Sequence, residues 1–411
     1  MATKKAKKVF KVHYGRAVYG KEEVRAVVEA LKEPTKIGPG ERVKEFEKKI
    51  SRLFGKKHGI MVNSGSSANL MALAALKLPR GTEVITPVLT FGTTLSPIIH
   101  LGLVPVFVDV SRDTFLMDLE KMEKSISKRT KVIMIPSLLG NVPDMARLQA
   151  IAKKHDLFIV EDSADTLGAT FAGKPTGHYS HMSTTSFYAS HVITAAASGG
   201  MVCFHDEKLA NSARILASWG RQSTLFGVNE KSEDIERRFA GRLDGDVYDA
   251  KFLFTEIGYN LQSNELAAAF GLEQLKKLKK FSSIREKNFK RLFTFFGRYE
   301  KFFSRAVQHK QVRTNWLAFP LTIREEAPFT RADITRFLEE RHIQTRPVFT
   351  GNVLRQPAFK DIEHRGGGPE NFPEADRVMR RSFVIGCNHG LSQAEMTYME
   401  QTFTEFLSKY E

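Results

Sequence analysis

The stretch Asn63-Ser64-Gly65-Ser66-Ser67-Ala68-Asn69 sets small side chains and hydroxyls directly ahead of an apolar run with helical spacing. Small residues let the backbone approach a ligand closely, and the first N–H groups of a helix point outward at its positive dipole end, which suits a phosphate. The same residues also make ordinary turns and N-caps. A second feature is Leu157-Phe158-Ile159-Val160-Glu161-Asp162, an apolar strand-like run ending in two carboxylates. Ligands of open α/β sheets lie outside the carboxyl ends of the strands. A carboxylate there could hold a heteroaromatic ring nitrogen protonated, or could simply cap a turn. A third is Ser186-Phe187-Tyr188-Ala189-Ser190-His191, which leads into Ser198-Gly199-Gly200. Ser186 could add a hydroxyl to a phosphate site, and an imidazole with an unperturbed pKa of ~6.5 can move protons near neutral pH. A lone histidine is more often a satisfied polar residue than a base.

Such residues need a scaffold, and the sequence alternates strand with helix. Short β-branched runs occur at Glu83–Thr86, Val104–Val110, Lys131–Pro136, Leu157–Asp162 and Gly200–Phe204. Between them lie segments with apolar residues at helical spacing, such as Ser67–Lys77 and Asp144–His155. This alternation predicts a mostly parallel sheet covered by helices on both faces. A long helix is expected over Gly258–Lys280, and a more mixed α+β pattern follows from about Phe281. The expected organisation is a basic tail over residues 1–13, a large domain over 14–280 and a small C-terminal domain over 281–411. Arg365-Gly366-Gly367-Gly368-Pro369 reads as a flexible loop.

The chain of 411 residues is 42% hydrophobic, enough for a full core. Its lysine-rich start has no apolar run behind it and no stretch reaches bilayer length, so a cytoplasmic location is expected, with no membrane partner. The net charge of +16 collects partly in Lys4, Lys5, Lys7, Lys8 and Lys11 and in Lys276, Lys277, Lys279 and Lys280. No zinc-finger spacing or RNA-binding strand motif accompanies it, so these read as a tail and a helix surface and not as a nucleic-acid interface. The two cysteines, Cys203 and Cys387, are far apart and suit buried apolar positions.

Taken in order, Asn63–Asn69, Thr90-Phe91, Glu161-Asp162, Ser186-Phe187 and Gly258-Tyr259-Asn260 followed by Glu265 resemble the DegT/DnrJ/EryC1/StrS sugar aminotransferases. The likeness runs from about Tyr14 to the C-terminus. It implies an α/β, aspartate-aminotransferase-like fold (fold type I of the pyridoxal-phosphate transferases), with a large, mostly parallel sheet domain and a smaller α+β domain. It also implies pyridoxal 5′-phosphate, or its amine form pyridoxamine 5′-phosphate, as cofactor. By the same resemblance Gly65, Ser66, Ser67 and Ser186 would hold the cofactor phosphate, Phe91 would stack on the pyridine ring, and Asp162 would pair with the ring nitrogen. Asn260 would reach the cofactor phosphate of a neighbouring subunit, in a homodimer with shared active sites.

In that family the residue five after the serine of Ser-Phe is a lysine that joins the cofactor covalently. Here it is His191, and the nearest upstream lysine, Lys174, lies in a hairpin-like stretch (Phe171–Gly177) out of register. An imidazole cannot form that stable Schiff base, so the cofactor is expected to be held non-covalently and to act in its amine form. The substitution resembles a branch of the family, the 3-dehydratases of nucleotide-linked 4-keto-6-deoxy sugars. Asp165, where ordinary aminotransferases usually carry glutamine, fits that branch and would belong to the cofactor site. Thr345-Arg346-Pro347, Gly351-Asn352, Arg355-Gln356-Pro357 and Ser382–Gly386 with Gly390-Leu391 fit it as well. The resemblance implies that His191 is the catalytic base that moves a proton while the sugar's C3 hydroxyl leaves. Arg346 and Arg355 are candidate anchors for the sugar-nucleotide phosphates, because guanidinium matches phosphate geometry; surface ion pairs are their alternative.

Two departures bear on the reaction. The CDP-sugar enzymes of the branch carry a cysteine-ligated iron–sulfur cluster after a Trp-Gly-Arg segment, whereas Trp219-Gly220-Arg221 is followed here by Gln222–Phe239 without a cysteine. No iron–sulfur cluster is therefore expected. An enzyme regenerated by glutamate, releasing a 3-deoxy ketone and ammonia, is expected instead. The other departure is Ala195-Ala196-Ala197-Ser198-Gly199-Gly200, where the family usually has a Gly-Glu-Gly-Gly turn. The competing readings are a sugar-nucleotide aminotransferase that tolerates the histidine and an inactive member kept for ligand binding.

Overall fold

β-Branched and apolar runs that must be buried on both faces assemble first into one sheet. In the computed structural model, which describes residues 12–228, 231 and 233–411, these runs are β1 (His58–Val62), β2 (Glu83–Pro87), β3 (Val104–Val108), β4 (Thr130–Pro136), β5 (Phe158–Asp162), β6 (Met182–Ser186) and β7 (Gly200–Phe204). Lys4, Lys5, Lys7, Lys8 and Lys11 lie outside the described residues, as do positions 229, 230 and 232 of the cysteine-free segment. The strand order is β1-β7-β6-β5-β4-β2-β3. All pairings from β3 through β6 are parallel, and β7 runs antiparallel between β1 and β6. Successive side chains point to opposite faces. Thus Val84, Val132 and Val160 enter one core cluster and Ile85, Ile133 and Ile159 another, on the two sides of the sheet. Each such side chain, fully buried, contributes about 1.5–3 kcal/mol.

The C-terminal part builds a second sheet from β8 (Phe303–Arg305), β9 (Ala318–Ile323), β10 (Thr345–Pro347) and β11 (Ser382–Gly386), in the order β8-β9-β11-β10 and antiparallel throughout. Helices Arg331–Glu340, Pro373–Arg381 and Gln393–Leu407 accompany it, giving the α+β pattern. The expected helix over Gly258–Lys280 begins later and ends later, at Glu265–Phe296. Its start is fixed by Asn264, whose side chain accepts the Ala267 N–H at 2.9 Å. Gly258–Leu261 is instead extended chain, with the Tyr259 and Leu261 N–H groups donating to Leu216 O and Ala217 O. Past Lys280 the helix continues because Phe281, Arg285, Asn288, Leu292, Phe295 and Phe296 keep a buried face at helical spacing. Position 281 therefore falls inside a helix that runs unbroken past it. The lysines on its other face are surface groups, with Lys276 paired to Glu273 and Lys277 to Glu22 and Glu23.

The Arg365–Pro369 loop is pinned where a flexible loop was expected. Arg365 donates its N–H to Pro105 O at 3.0 Å and accepts from Phe107 N at 2.9 Å, so it covers the outer edge of β3.

Between β6 and β7 the chain turns at Ala195–Ser198, bridged to each other, with Ala196 at φ 56° and Ala197 at φ 63°. Left-handed backbone costs a residue with a Cβ about 1 kcal/mol or more. Both alanines are exposed. Ala196→Gly and Ala197→Gly are each expected to raise the unfolding free energy by about 0.5–1 kcal/mol, measured by denaturant melts, since relief of strain outweighs the extra freedom of unfolded glycine. A loss of stability in both variants would contradict this reading of the turn.

Candidate active site

The carboxyl ends of β4, β5 and β6 and the N-terminus of helix Gly65–Ala74 open onto a cleft of about 410 Å³, closed from the other side by Tyr14, Leu317, Arg346 and Phe349. This is the end of a parallel sheet at which ligands are expected.

At one end Ser64 caps the helix, its Oγ accepting the Ser67 N–H at 3.1 Å. Gly65 is pressed against Ser186, and a Cβ at position 65 would come within 2.6 Å of the Ser186 Cβ. Only glycine lets the helix start sit this close to β6, and that contact brings Gly65, Ser66 and Ser186 to the cleft wall together. The Ser67 side chain, expected here, is directed elsewhere: its hydroxyl donates to Asn63 Oδ1 at 2.6 Å and does not line the cleft.

The middle of the cleft is built around Asp162. Its Oδ2 accepts hydrogen bonds from Asn69 Nδ2 and from Thr94 Oγ1, both at 2.8 Å, and its Oδ1 accepts the Ala164 N–H at 3.2 Å. Thr184 in turn donates to Asn69 Oδ1 at 2.6 Å and so fixes the direction of that amide. The neighbouring Glu161 alternates to the opposite face of β5, where burial pushes its carboxyl up to about 7. The two carboxylates of the sequence run are thus separated, and only Asp162 faces the cleft. Phe91 lines the cleft with 52% of its surface open, its ring edge-on to Phe349 at 6.1 Å between centroids.

His191 and Asp165 stand together at the remaining wall, with Nδ1 of the imidazole 3.7 Å from Oδ1 of the carboxyl. That separation is too long for a hydrogen bond, and His191 Nδ1 is shielded from solvent without a partner. Burial, with the Arg285 guanidinium, pushes His191 down to about 4. Burial pushes Asp165 up to about 7, although the Leu139 N–H donates to its Oδ2 at 2.8 Å. The low-polarity wall therefore favours the uncharged imidazole near neutral pH. Arg285, fully buried in the long helix, donates to Trp316 O, Leu317 O and His191 O and to His389 Nδ1, tying the histidine loop to the chain just before β9 and just after β11.

Arg346 lines the cleft with its side chain half exposed. Arg355 does not: its Nε donates to Asp376 Oδ1 at 2.6 Å, the ion pair that was its alternative. Asn260 is exposed and outside the cleft of its own chain, in a stretch where Phe252, Phe254 and Ile257 are also exposed, the last at 98%. The helix start with Ser66 and Ser186, the oriented Asp162 and the open ring of Phe91 fit a phosphorylated pyridine.

A family model described as the DegT/DnrJ/EryC1/StrS aminotransferase family matches residues 18–404. This chain belongs to that family. It is 36% identical over 403 residues to the dTDP-4-dehydro-2,6-dideoxy-D-glucose 3-dehydratase of Saccharopolyspora spinosa, covering 96% of this chain and 86% of the relative. It is 34% identical over 366 residues to the GDP-4-keto-6-deoxy-D-mannose 3-dehydratase of Yersinia pseudotuberculosis, covering 87% and 88%. A crystal structure of GDP-4-keto-6-deoxymannose-3-dehydratase with a trapped PLP-glutamate geminal diamine superposes with a TM-score of 0.84 at 28% identity, over 95% of this chain and 99% of that one. The fold is that of the PLP-dependent, aspartate-aminotransferase-like α/β enzymes of the family.

Within this family frame, sequence reading missed Asn69, Thr94, Tyr14 and Arg285. Asn69 was legible as a polar residue inside an otherwise apolar helix face, which demands a partner. Arg285 sits among lysines and arginines on the long helix and carries no local mark of its burial.

Proposed function

We propose that this chain is a 3-dehydratase of a nucleotide-linked 4-keto-6-deoxy sugar, dependent on pyridoxal/pyridoxamine 5′-phosphate and serving deoxysugar biosynthesis without an iron–sulfur cluster. The observation that carries this reading is the cleft wall itself: among the described residues no lysine lines it, and His191 does. When bound, pyridoxamine 5′-phosphate would supply an amine to the C4 ketone and a ring able to take up an electron pair.

The chain's own groups then have distinct tasks. The helix start with Gly65 and Ser66, and Ser186 beside it, would bind the phosphate. Asp162, aimed by Asn69 and Thr94, would hold the ring nitrogen protonated, and Phe91 would cover one face of the ring. His191, uncharged near pH 7, would take up a proton at the reacting carbon and return it to the departing C3 hydroxyl. Asp165 would stand beside that imidazole in the cofactor site. Arg346 would meet the substrate diphosphate. The relative that holds PLP and glutamate together supports glutamate as the amine donor. Each turnover then converts one glutamate and one 4-keto sugar to 2-oxoglutarate, ammonia and the 3-deoxy ketone. The two cysteines are both buried in the core, which fits chemistry without a cysteine-ligated cluster. The exposed apolar side chains beside Asn260 fit a homodimer in which that residue reaches the partner's cofactor phosphate. A cytoplasmic location is part of this proposal. No helix among the described residues is long and apolar enough to cross a membrane.

The test is incubation with GDP-, CDP- and dTDP-linked 4-keto-6-deoxyhexoses, PLP and glutamate. Loss of the C3 oxygen from one of them is expected; a product that keeps that oxygen and gains a C4 amine would reject the proposal in favour of the aminotransferase reading.

A further inference from the structure

The described chain enters at the N-terminus as a strap laid across the mouth of the cleft. Val12 pairs with the small domain, donating to His342 O and accepting from Gln344 N, both at 2.9 Å. Gln344 Oε1 accepts the Tyr14 N–H at 3.2 Å, and Asn388 Nδ2 donates to both His13 O and Tyr14 O at 3.1 Å. The next residue, Gly15, packs on Ser190, so closely that a Cβ there would come within 2.8 Å of the Ser190 Cβ. The backbone around Tyr14 is therefore clamped on one side by the small domain and on the other by the loop that carries His191.

The clamp does not use the Tyr14 hydroxyl. That oxygen is shielded from solvent and has no hydrogen-bond partner, on a residue that lines the cleft. Of the cleft-lining residues only one other carries such an atom, His191 with its Nδ1. A buried polar group without a partner costs about 1–3 kcal/mol, and native proteins keep few of them. Burial, reinforced by the Asp165 carboxyl, raises the Tyr14 phenol far above its ordinary pKa, so it remains an O–H donor at any working pH.

We infer that the Tyr14 hydroxyl is a substrate-contacting group that donates a hydrogen bond to an oxygen of the sugar ring held beside His191. The inference rests on the reading that the cleft takes a keto-sugar. It gives the strap a role in recognising the sugar, separate from the groups that would hold the cofactor and the diphosphate. Binding of substrate would then supply the partner that the folded protein lacks.

Tyr14→Phe removes the oxygen and little else. For a hydroxyl used in folding, melting temperature should fall. For one left unpaired until substrate arrives, melting temperature should hold or rise. The expected result is an unchanged cofactor absorbance, no loss of melting temperature and a kcat/KM about 10- to 100-fold lower. Affinity for whichever GDP-, CDP- or dTDP-linked 4-keto-6-deoxyhexose the wild type accepts should weaken, while affinity for the matching bare nucleoside diphosphate stays the same. A variant that retains the wild-type preference for the sugar nucleotide over the bare nucleoside diphosphate, or one that melts earlier, overturns the inference. If the wild type binds the keto-sugar nucleotide well but never removes its C3 oxygen, the dehydratase reading fails, and the affinity comparison in Tyr14→Phe still decides this inference. If the wild type binds none of the GDP-, CDP- and dTDP-linked 4-keto-6-deoxyhexoses better than the bare nucleoside diphosphate, both fall.

Discussion

Lysine in place of His191 is expected to change a dissociable cofactor into a covalently attached one and to lower dehydration by at least about 100-fold. The side chain at this position faces the cleft, and its ring nitrogen Nδ1 forms no hydrogen bond that the substitution would break. The wall is buried enough to push an imidazole down to about 4. The same low polarity lowers the pKa of a lysine and leaves it partly as the free amine that attacks a carbonyl. A lysine there would direct its proton to the sugar's C4, the outcome of amination, and less to the departing C3 hydroxyl. Borohydride reduction followed by intact-mass measurement should show an adduct on His191→Lys and none on the wild type. His191→Asn should keep the cofactor and lose about 10²–10⁴-fold in turnover, the usual share of a positioned acid–base group. Undiminished dehydration in either variant would remove the imidazole from the reaction.

Asp162→Asn carries the second large effect, a loss of about 10²-fold or more in turnover with little change in fold. The amide oxygen of the new side chain can still accept from Asn69 Nδ2 and Thr94 Oγ1, the two 2.8 Å contacts that orient the native carboxyl. Its NH2 group must then occupy the place of Oδ1, giving up only the 3.2 Å contact with the Ala164 N–H. A donor there cannot hold a pyridine nitrogen protonated, so the loss falls on the chemistry and not on the scaffold. Alanine is a poorer probe, because it leaves Thr94 as an unpaired buried donor at about 1–3 kcal/mol and Asn69 with only its 3.3 Å contact to Thr93 O. Circular dichroism, cofactor absorbance and turnover measured on the same preparation check this. Wild-type turnover in Asp162→Asn would mean the carboxylate is structural only.

The parts of this site that could be read in advance share one property: their marks are local. Val84, Ile133 and Ile159 announce strands through β-branched runs, and Gly65 with Ser66 announces a helix start. β6, by contrast, is Met182-Ser183-Thr184-Thr185-Ser186, a hydroxyl-rich strand with almost no apolar pattern, legible only through the serine at its end. Tyr14 gains its meaning from neighbours more than a hundred residues away and Arg285 from partners 31 to 104 residues away, and no periodicity encodes that. The long helix starts later than expected because Gly258–Leu261 pairs with the Leu216–Trp219 segment instead. The Asn264 cap settles the start, and buried phenylalanines carry the helix to Phe296. Arg355 illustrates the opposite error. Its type suited a phosphate, but Asp376 lies one helix away and had no sequence mark as its partner.

The central claim, that a histidine at the lysine position turns an aminotransferase scaffold toward elimination, is tested most directly with ¹⁵N-labelled glutamate. The protein is incubated with PLP, the label and the nucleotide-linked 4-keto-6-deoxyhexose that it accepts, and the nitrogen is followed by NMR and mass spectrometry. The account expects the label in free ammonia, one equivalent for each sugar that has lost its C3 oxygen. Label retained as an amine on C4 of a sugar that still carries its C3 hydroxyl would contradict it.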